Sequence, residues 1–274
     1  MFRWQTLCFL WGSIFLCLSI SYRVSAGHMS NEPDFWVLTA LEPPFSLRNE
    51  RGQLEGYLIE LVQGILAEAD IQQEILAGPW ERLIQEAQDK PNVLVFPLAR
   101  TPEREKEFHW VLPLTSNVYG VLGVPVDDTP IRSFADVNAV VPIGVLGSDF
   151  RHKVLLAENV NEVMPYDDYD TAVSDLRAGK LGSMFFSDAG LRYFCFKQSA
   201  DCSHIKLLYQ YDTLTSYIAL SKNSDAKHIA IFNTAAQRFL KSDKFSQIQQ
   251  SWLLKLQEQG PFKLHIKNGV LNLW

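Results

Sequence analysis

Short apolar runs alternate with helical-period segments along most of this 274-residue chain, and that alternation restricts its possible folds more than any other feature. Phe35-Trp36-Val37-Leu38 reads as a strand and Glu42-Pro43-Pro44-Phe45 as a rigid turn. Leu58, Leu61, Val62, Ile65, Leu66 and Ala69 then share one face of an amphipathic helix. A strand near Gln73–Leu76 follows, then a helix with Trp80, Leu83, Ile84 and Ala87 on one side, then a strand from Val93. Strands separated by helices imply a parallel sheet with right-handed crossovers. Such sheets bind ligands beyond the carboxyl ends of their strands. Thr39, Glu42, Trp80, Arg100 and Arg104 all follow predicted strands on that side.

The stretch Phe96–Phe108, FPLARTPEREKEF, joins strand to charge. Thr101 is placed to cap a helix, Pro102 suits the first helical position and Glu103 the first turn. A helix N-terminus beside Arg100 and Arg104 would form an anion site. The alternative is a capped surface helix with solvated charges.

Past a crossing near Val118–Val124 the alternation resumes. Val141–Val145 reads as a strand, Gly147-Ser148-Asp149 as a turn into a helix, and Glu162–Met164 as a strand. Asp170 is expected to cap a helix that ends at Gly179. Ser183–Phe186 is a strand with Asp188 just beyond it, and Ile205–Tyr209 and Ser216–Leu220 are two more. Asp225 is expected to cap a helix carrying Ile229, Phe232, Ala236 and Phe239, and a last helix carries Phe245, Ile248 and Trp252. Phe262, Leu264 and Ile266 alternate before Asn268-Gly269, a type I′ turn signal, so the C-terminus reads as a hairpin; the alternative is a frayed tail.

Residues 1–26 have the form of a signal peptide: Arg3, an apolar run from Leu7 to Ile20, and small residues Val24-Ser25-Ala26 before a cut at Gly27. An uncleaved anchor is the alternative. Export would remove Cys8 and Cys17 and leave Cys195 and Cys202, for which an oxidising compartment makes a disulfide the expected state. A net charge of -6 argues against a nucleic-acid partner. The chain has no HExxH, GxSxG, CxxC or Gly-rich phosphate loop, and its His residues form no ligand pair at helical spacing. No metal or cofactor is implied.

Several segments together resemble a known family. They are EPPFSL (Glu42–Leu47), G-x-L-EGY (Gly52–Tyr57) with the helix after it, PWERL (Pro79–Leu83), TPEREKEF (Thr101–Phe108), IGVLGS (Ile143–Ser148) and GKLGSMFFSD (Gly179–Asp188). In this order they resemble the periplasmic solute-binding proteins of amino-acid ABC importers, family 3, over about Pro33–Leu256. The resemblance implies an α/β, two-lobe periplasmic-binding-protein (Venus flytrap) fold. Its sheets are mixed, helices cover both faces and two crossover strands join the lobes. Residues 31–115 and 213–274 would form lobe one, and 116–212 lobe two.

By position, Arg104 resembles the arginine that grips the ligand carboxylate, a task suited to planar guanidinium geometry. Trp80 falls where an aromatic ring covers the ligand, although it also fits the apolar face of its own helix. Ser148 resembles a second-lobe carboxylate contact. Asp188 resembles the acid that pairs with the ligand ammonium, although Asp is also a common helix N-cap. Pro97 and Ala99 stand where the family often has Gly-x-Thr, Arg100 is an added cation, Thr39 replaces an acid, and Leu58 replaces another. These departures favour an anionic or modified small ligand.

The expected function is capture in the periplasm, by a monomer, of a small polar, carboxylate-bearing solute, an amino acid or a relative of one, for the membrane permease of an ABC importer. The expected ligand-binding residues are Arg104, Arg100, Trp80, Asp188, Ser148, Glu42, Thr39 and Asp149. One alternative is a sensory module acting with a membrane signalling partner. Another is an enzyme like the cyclohexadienyl dehydratases of this fold, with Glu42 and Asp149 as general acids. The expectation is that the protein is not an enzyme.

Overall fold

The computed structural model describes residues 35–126, 130–147, 149–258 and 263–273. The expected signal peptide (1–26), Ser148 and Phe262 lie outside them.

The first half of the fold opens with β1 (Trp36–Thr39), a small ribbon of β2 (Leu47–Arg48) and β3 (Leu54–Glu55), and α1 (Tyr57–Glu68). Then come β4 (Ile75–Ala77), α2 (Trp80–Asp89) and β5 (Val93–Ala99). A long strand, β6 (Phe108–Gly123), leads into α3 (Phe134–Val137), β7 (Ile143–Leu146), α4 (Phe150–Ala157), β8 (Val163–Tyr166) and α5 (Tyr169–Arg177). After β9 (Ser183–Ser187) and α6 (Asp188–Lys197), a second long strand, β10 (Lys206–Ser221), returns. Helices α7 (Ala226–Phe239) and α8 (Asp243–Glu258) precede the hairpin β11 (Leu264–Lys267) and β12 (Val270–Leu273).

Hydrogen bonding orders the main strands β4-β1-β5-β10-β6-β9-β7-β8. The outer pairs, β1 with β4 and β5, and β7 with β8 and β9, are parallel, as βαβ units require. The central pair, β10 and β6, is antiparallel, runs through both halves of the sheet and supplies the two crossover strands. The stretches read as separate strands at Ile205–Tyr209 and Ser216–Leu220 belong to the single strand β10, kept in pairing by several bulges.

Alternation along the strands explains why helices cover both faces. In the first half, Val37, Leu94 and Phe96 face a core shared with α1, α7 and α8, whereas Leu38, Val93 and Val95 face one shared with α2. In the second half, Leu122, Met184 and Phe186 face α5 and α6, whereas Val121, Phe185 and Val145 face α3 and α4. The fold is therefore the mixed α/β, two-lobe flytrap architecture, with an apolar core on either face of the sheet in each half.

Two local expectations change. Residues 102–107 form turns, not a helix. The Arg104 amide donates a hydrogen bond to Thr101 O and the Glu107 amide to Arg104 O, each spanning three residues. The stretch Thr101–Glu107 offers no apolar face to bury, and so short an isolated helix is marginal in water. The cap of α5 is Asp168, not Asp170: its extended backbone lets its carboxylate accept from the Thr171 amide at 2.8 Å. Asp170 instead pairs with Lys197.

The C-terminal hairpin is ordered into the fold. Asn268 (φ 53°) and Gly269 (φ 77°) supply the two positive φ values of a type I′ turn. β12 then lies parallel to β6, with Leu271 opposite Thr115 and Leu273 opposite Asn117. Cys195 and Cys202 are joined in a disulfide. Among the described residues, no helix is long and apolar enough to cross a membrane.

Candidate functional site

The loop after β1 is held rigidly. The Ser46 hydroxyl donates to the Ala40 carbonyl at 2.6 Å and accepts from the Glu42 amide at 3.0 Å. The Leu58 amide donates to Phe45 O, bringing the start of α1 against this turn. Gly56 makes that approach possible: its φ is 132°, and a Cβ there would sit 2.2 Å from Phe45 O. Glu42 is thus fixed at the carboxyl end of β1.

A small cavity of about 50 Å³ lies there, lined by Glu42, Trp80, Pro97, Ala99, Arg104 and Ser216, and on the other side by Tyr119, Leu146, Asp149, Phe150, Arg151 and Tyr169. It gathers the ends of β1, β5 and β7 and the first turns of α4 and α5, where an α/β sheet places ligands. Its volume would hold only a few water molecules.

On the first side, the Arg104 guanidinium donates to Ala99 O at 3.2 Å and lies 5.4 Å over the Trp80 ring. Burial lowers its pKa, opposed by the nearby charges of Asp149 and Glu103. It forms no ion pair with a described carboxylate. Trp80 lines the cavity and also packs on the core beside Leu83.

On the second side a buried cluster faces it. Asp149 caps α4 through the Arg151 amide, and its two oxygens hold the Arg151 guanidinium at 2.6 and 3.0 Å. Arg151 also donates to the Tyr169 hydroxyl at 2.6 Å, and that hydroxyl donates to Glu42 at 3.3 Å. The rings of Tyr119, Phe150, Tyr169 and Phe186 all lie within 5.5 Å of the guanidinium carbon. Burial raises the Glu42 pKa, with Arg151 opposing.

Of the eight residues expected to bind ligand, the structure brings Glu42, Trp80, Arg104 and Asp149 together. Arg100 points elsewhere: its side chain is bound to Glu105 at 2.7 and 2.5 Å and lies 5.3 Å from the Trp110 ring and 5.2 Å from the Tyr217 ring. Its separation from Arg104 follows from the turns at 102–107, which bring Glu105 back within its reach. Thr39 is fully buried and donates to Ala40 O. Asp188 pairs with Arg192 at 2.7 Å and lines a different cavity, of about 660 Å³, beside the disulfide; the cap of α6 is Ser187. Ser148 lies outside the described residues. Sequence reasoning missed Arg151, Tyr169 and Tyr119. The one available signal for Arg151 was its position two residues after an N-capping Asp, in the first turn after a strand.

The model of the bacterial extracellular solute-binding proteins, family 3, matches residues 37–255. The chain belongs to that family.

This family 3 protein is 25% identical over 155 residues to the L-cystine-binding protein TcyJ of Escherichia coli, a match covering 54% of this chain and 57% of that one. It is 21% identical over 154 residues to the arginine-binding periplasmic protein of Mannheimia haemolytica, covering 56% and 62%. The matches thus span little more than half the length of these relatives. Among solved structures, an ancestral arginine-binding protein bound to arginine has a TM-score of 0.66 at 18% identity, covering 80% of this chain and 98% of that one. A histidine-kinase sensor domain with similarity to periplasmic binding proteins has a TM-score of 0.68 at 15% identity, covering 80% and 96%. These likenesses show the fold. As a member of this family, the protein is a solute-binding protein.

Proposed function

We propose that this protein captures a small carboxylate-bearing solute, an amino acid or a relative of one, in the periplasm, and presents it to the permease of an ABC importer. The observation that carries the reading is Arg104: a desolvated guanidinium over Trp80, in the cleft, unpaired with any described carboxylate. A ligand carboxylate would supply the missing counter-charge in the bidentate geometry that arginine favours.

Residues 31–115 with 213–274 make one lobe in this reading, and 116–212 the other. The division of the cores supports it: one set of apolar residues draws, Ala189 apart, on Phe35–Leu114 and Ile218–Leu273, and the other mainly on Tyr119–Leu214. Ligand contacts come from both lobes and the cleft is nearly filled, so a ligand enters with the lobes apart and closes them. The dehydratase-like alternative needs two carboxylates for acid–base work, and Asp149 is already held by Arg151. The relatives described as cystine- and arginine-binding proteins support binding without turnover.

A thermal-shift screen of amino acids and small carboxylic acids tests the reading on protein purified from the periplasm. A ligand of the folded state raises the melting temperature by mass action. At least one carboxylate-bearing solute should do so while its amide or ester analogue at the same carboxyl does not. Stabilisation that ignores the carboxylate would contradict the proposal.

A further inference from the structure

We propose that Arg151 is a second ligand-gripping residue, one that selects solutes whose far end carries an oxygen acceptor, a carboxylate or carboxamide, over solutes ending in an amine or guanidinium. This rests on Arg104 holding the ligand's first carboxylate.

The guanidinium of Arg151 has five N–H donors. Nε donates a hydrogen bond to Asp149 Oδ1, and Nη2 donates to Asp149 Oδ2 and Tyr169 Oη. Nη1 is buried and has no hydrogen-bond partner among the described residues. Only 2% of the residue is exposed, and it lines the cleft cavity. A buried donor without a partner is costly, and native proteins leave few of them. A ligand oxygen is an occupant of the cleft that would satisfy Nη1.

The surroundings hold this donor in position. Asp149 grips one edge of the guanidinium and four aromatic rings pack around it, so the group cannot swing away when a ligand arrives. The same rings would otherwise be a natural cage for a cationic ligand tail. Here the protein's own cation fills the cage. An incoming amine or guanidinium would meet no free ring face and would leave Nη1 unsatisfied. The other charged groups facing Arg151 are Asp149, which neutralises it, and Glu42, bonded to the shared Tyr169 hydroxyl. Burial raises the Glu42 pKa and so weakens its repulsion of an anionic tail.

The test is calorimetric titration of periplasm-purified protein with L-glutamate, L-glutamine, L-aspartate, L-asparagine, succinate, L-arginine and L-lysine. At least one acceptor-tailed probe should bind about tenfold or more tighter than L-arginine and L-lysine, the scale of one hydrogen bond to a charged group. Arg151→Lys keeps a cation for Asp149 but removes the free nitrogen. It should weaken that probe about tenfold to a hundredfold and erase the preference. If circular dichroism shows that this variant does not fold, the double variant Asp149→Asn/Arg151→Met removes the buried pair together and gives the same readout.

Affinity within about threefold of wild type in a folded Arg151 variant, well under the energy of such a bond, overturns the inference. So does a wild-type preference for L-arginine or L-lysine. Loss of binding in Arg104→Ala alongside an unaffected Arg151 variant leaves the carboxylate-capture reading standing and removes only this inference. Equal binding in wild type and Arg104→Ala, or no binding of any probe, removes both.

Discussion

The Tyr169 hydroxyl, at the start of α5, sits 3.3 Å from a carboxylate oxygen of Glu42, in the loop after β1, and so links two sides of the cleft 127 residues apart. The bond places Glu42 among buried groups, and burial raises its pKa above the ordinary 4.5. As pH rises past 4.5, the unfolded chain releases this proton first while the folded protein keeps it. The stability supplied by Glu42 is therefore complete below 4.5 and is lost as pH climbs through the folded-state value. Glu42→Gln cannot ionise. Its melting temperature relative to wild type should rise as the pH climbs above 4.5. Parallel melting curves across that range would contradict the assignment.

Much of this arrangement was legible beforehand, and the reasons are local. The apolar face of α1, from Leu58 to Leu66, is fixed by helical period, and Asn268-Gly269 by turn chemistry. The place of Arg104 in the cleft was legible through its motif. The choice between Arg104 and Arg100 was not visible locally, because it depends on the turns at 102–107 returning Glu105 to Arg100. Arg151 was hidden for a related reason. Its partners Tyr169, Tyr119 and Phe186 come from distant segments, and only the assembled sheet brings them around one guanidinium.

The hairpin's docking predicts a cost for mutation close to the chain's end. Leu271 is 1% exposed and belongs to the same core as α1, α7 and α8. Leu271→Ala should destabilise the protein by about 2–5 kcal/mol, the range for emptying a buried leucine site. Leu254, 61% exposed, is the control, and its replacement should cost less than about 0.5 kcal/mol. Denaturant titration of the two variants compares them, and equal midpoints would mean that the hairpin adds nothing to the core.

The disulfide predicts that unreduced protein from the periplasm, denatured in urea, shows no titratable thiol. Cys195 and Cys202 close a loop with a sequence separation of 7. By loop-closure entropy, replacing both with Ser should cost about 2–3 kcal/mol. Two free thiols per chain would contradict the bridge.

Arg100→Ala tests whether the second cation belongs to the site. Its side chain is 37% exposed and bound to Glu105, outside the cleft. Losing an exposed pair of this kind should cost about 1 kcal/mol of stability or less. Ligand affinity should stay within about threefold of wild type, a change of well under 1 kcal/mol. A larger loss of affinity would place Arg100 in the binding path.

Calorimetric titration of Arg104→Ala, with the tightest-binding carboxylate from the screen, tests whether this guanidinium holds the ligand carboxylate. Truncating one partner of a desolvated charge pair costs roughly 2–5 kcal/mol. At about 1.4 kcal/mol per decade, that is a loss of about thirtyfold to several-thousandfold in affinity. Affinity should fall by an amount in that range, with the fold retained by circular dichroism. A folded Arg104→Ala variant that binds within about threefold of wild type would contradict this role.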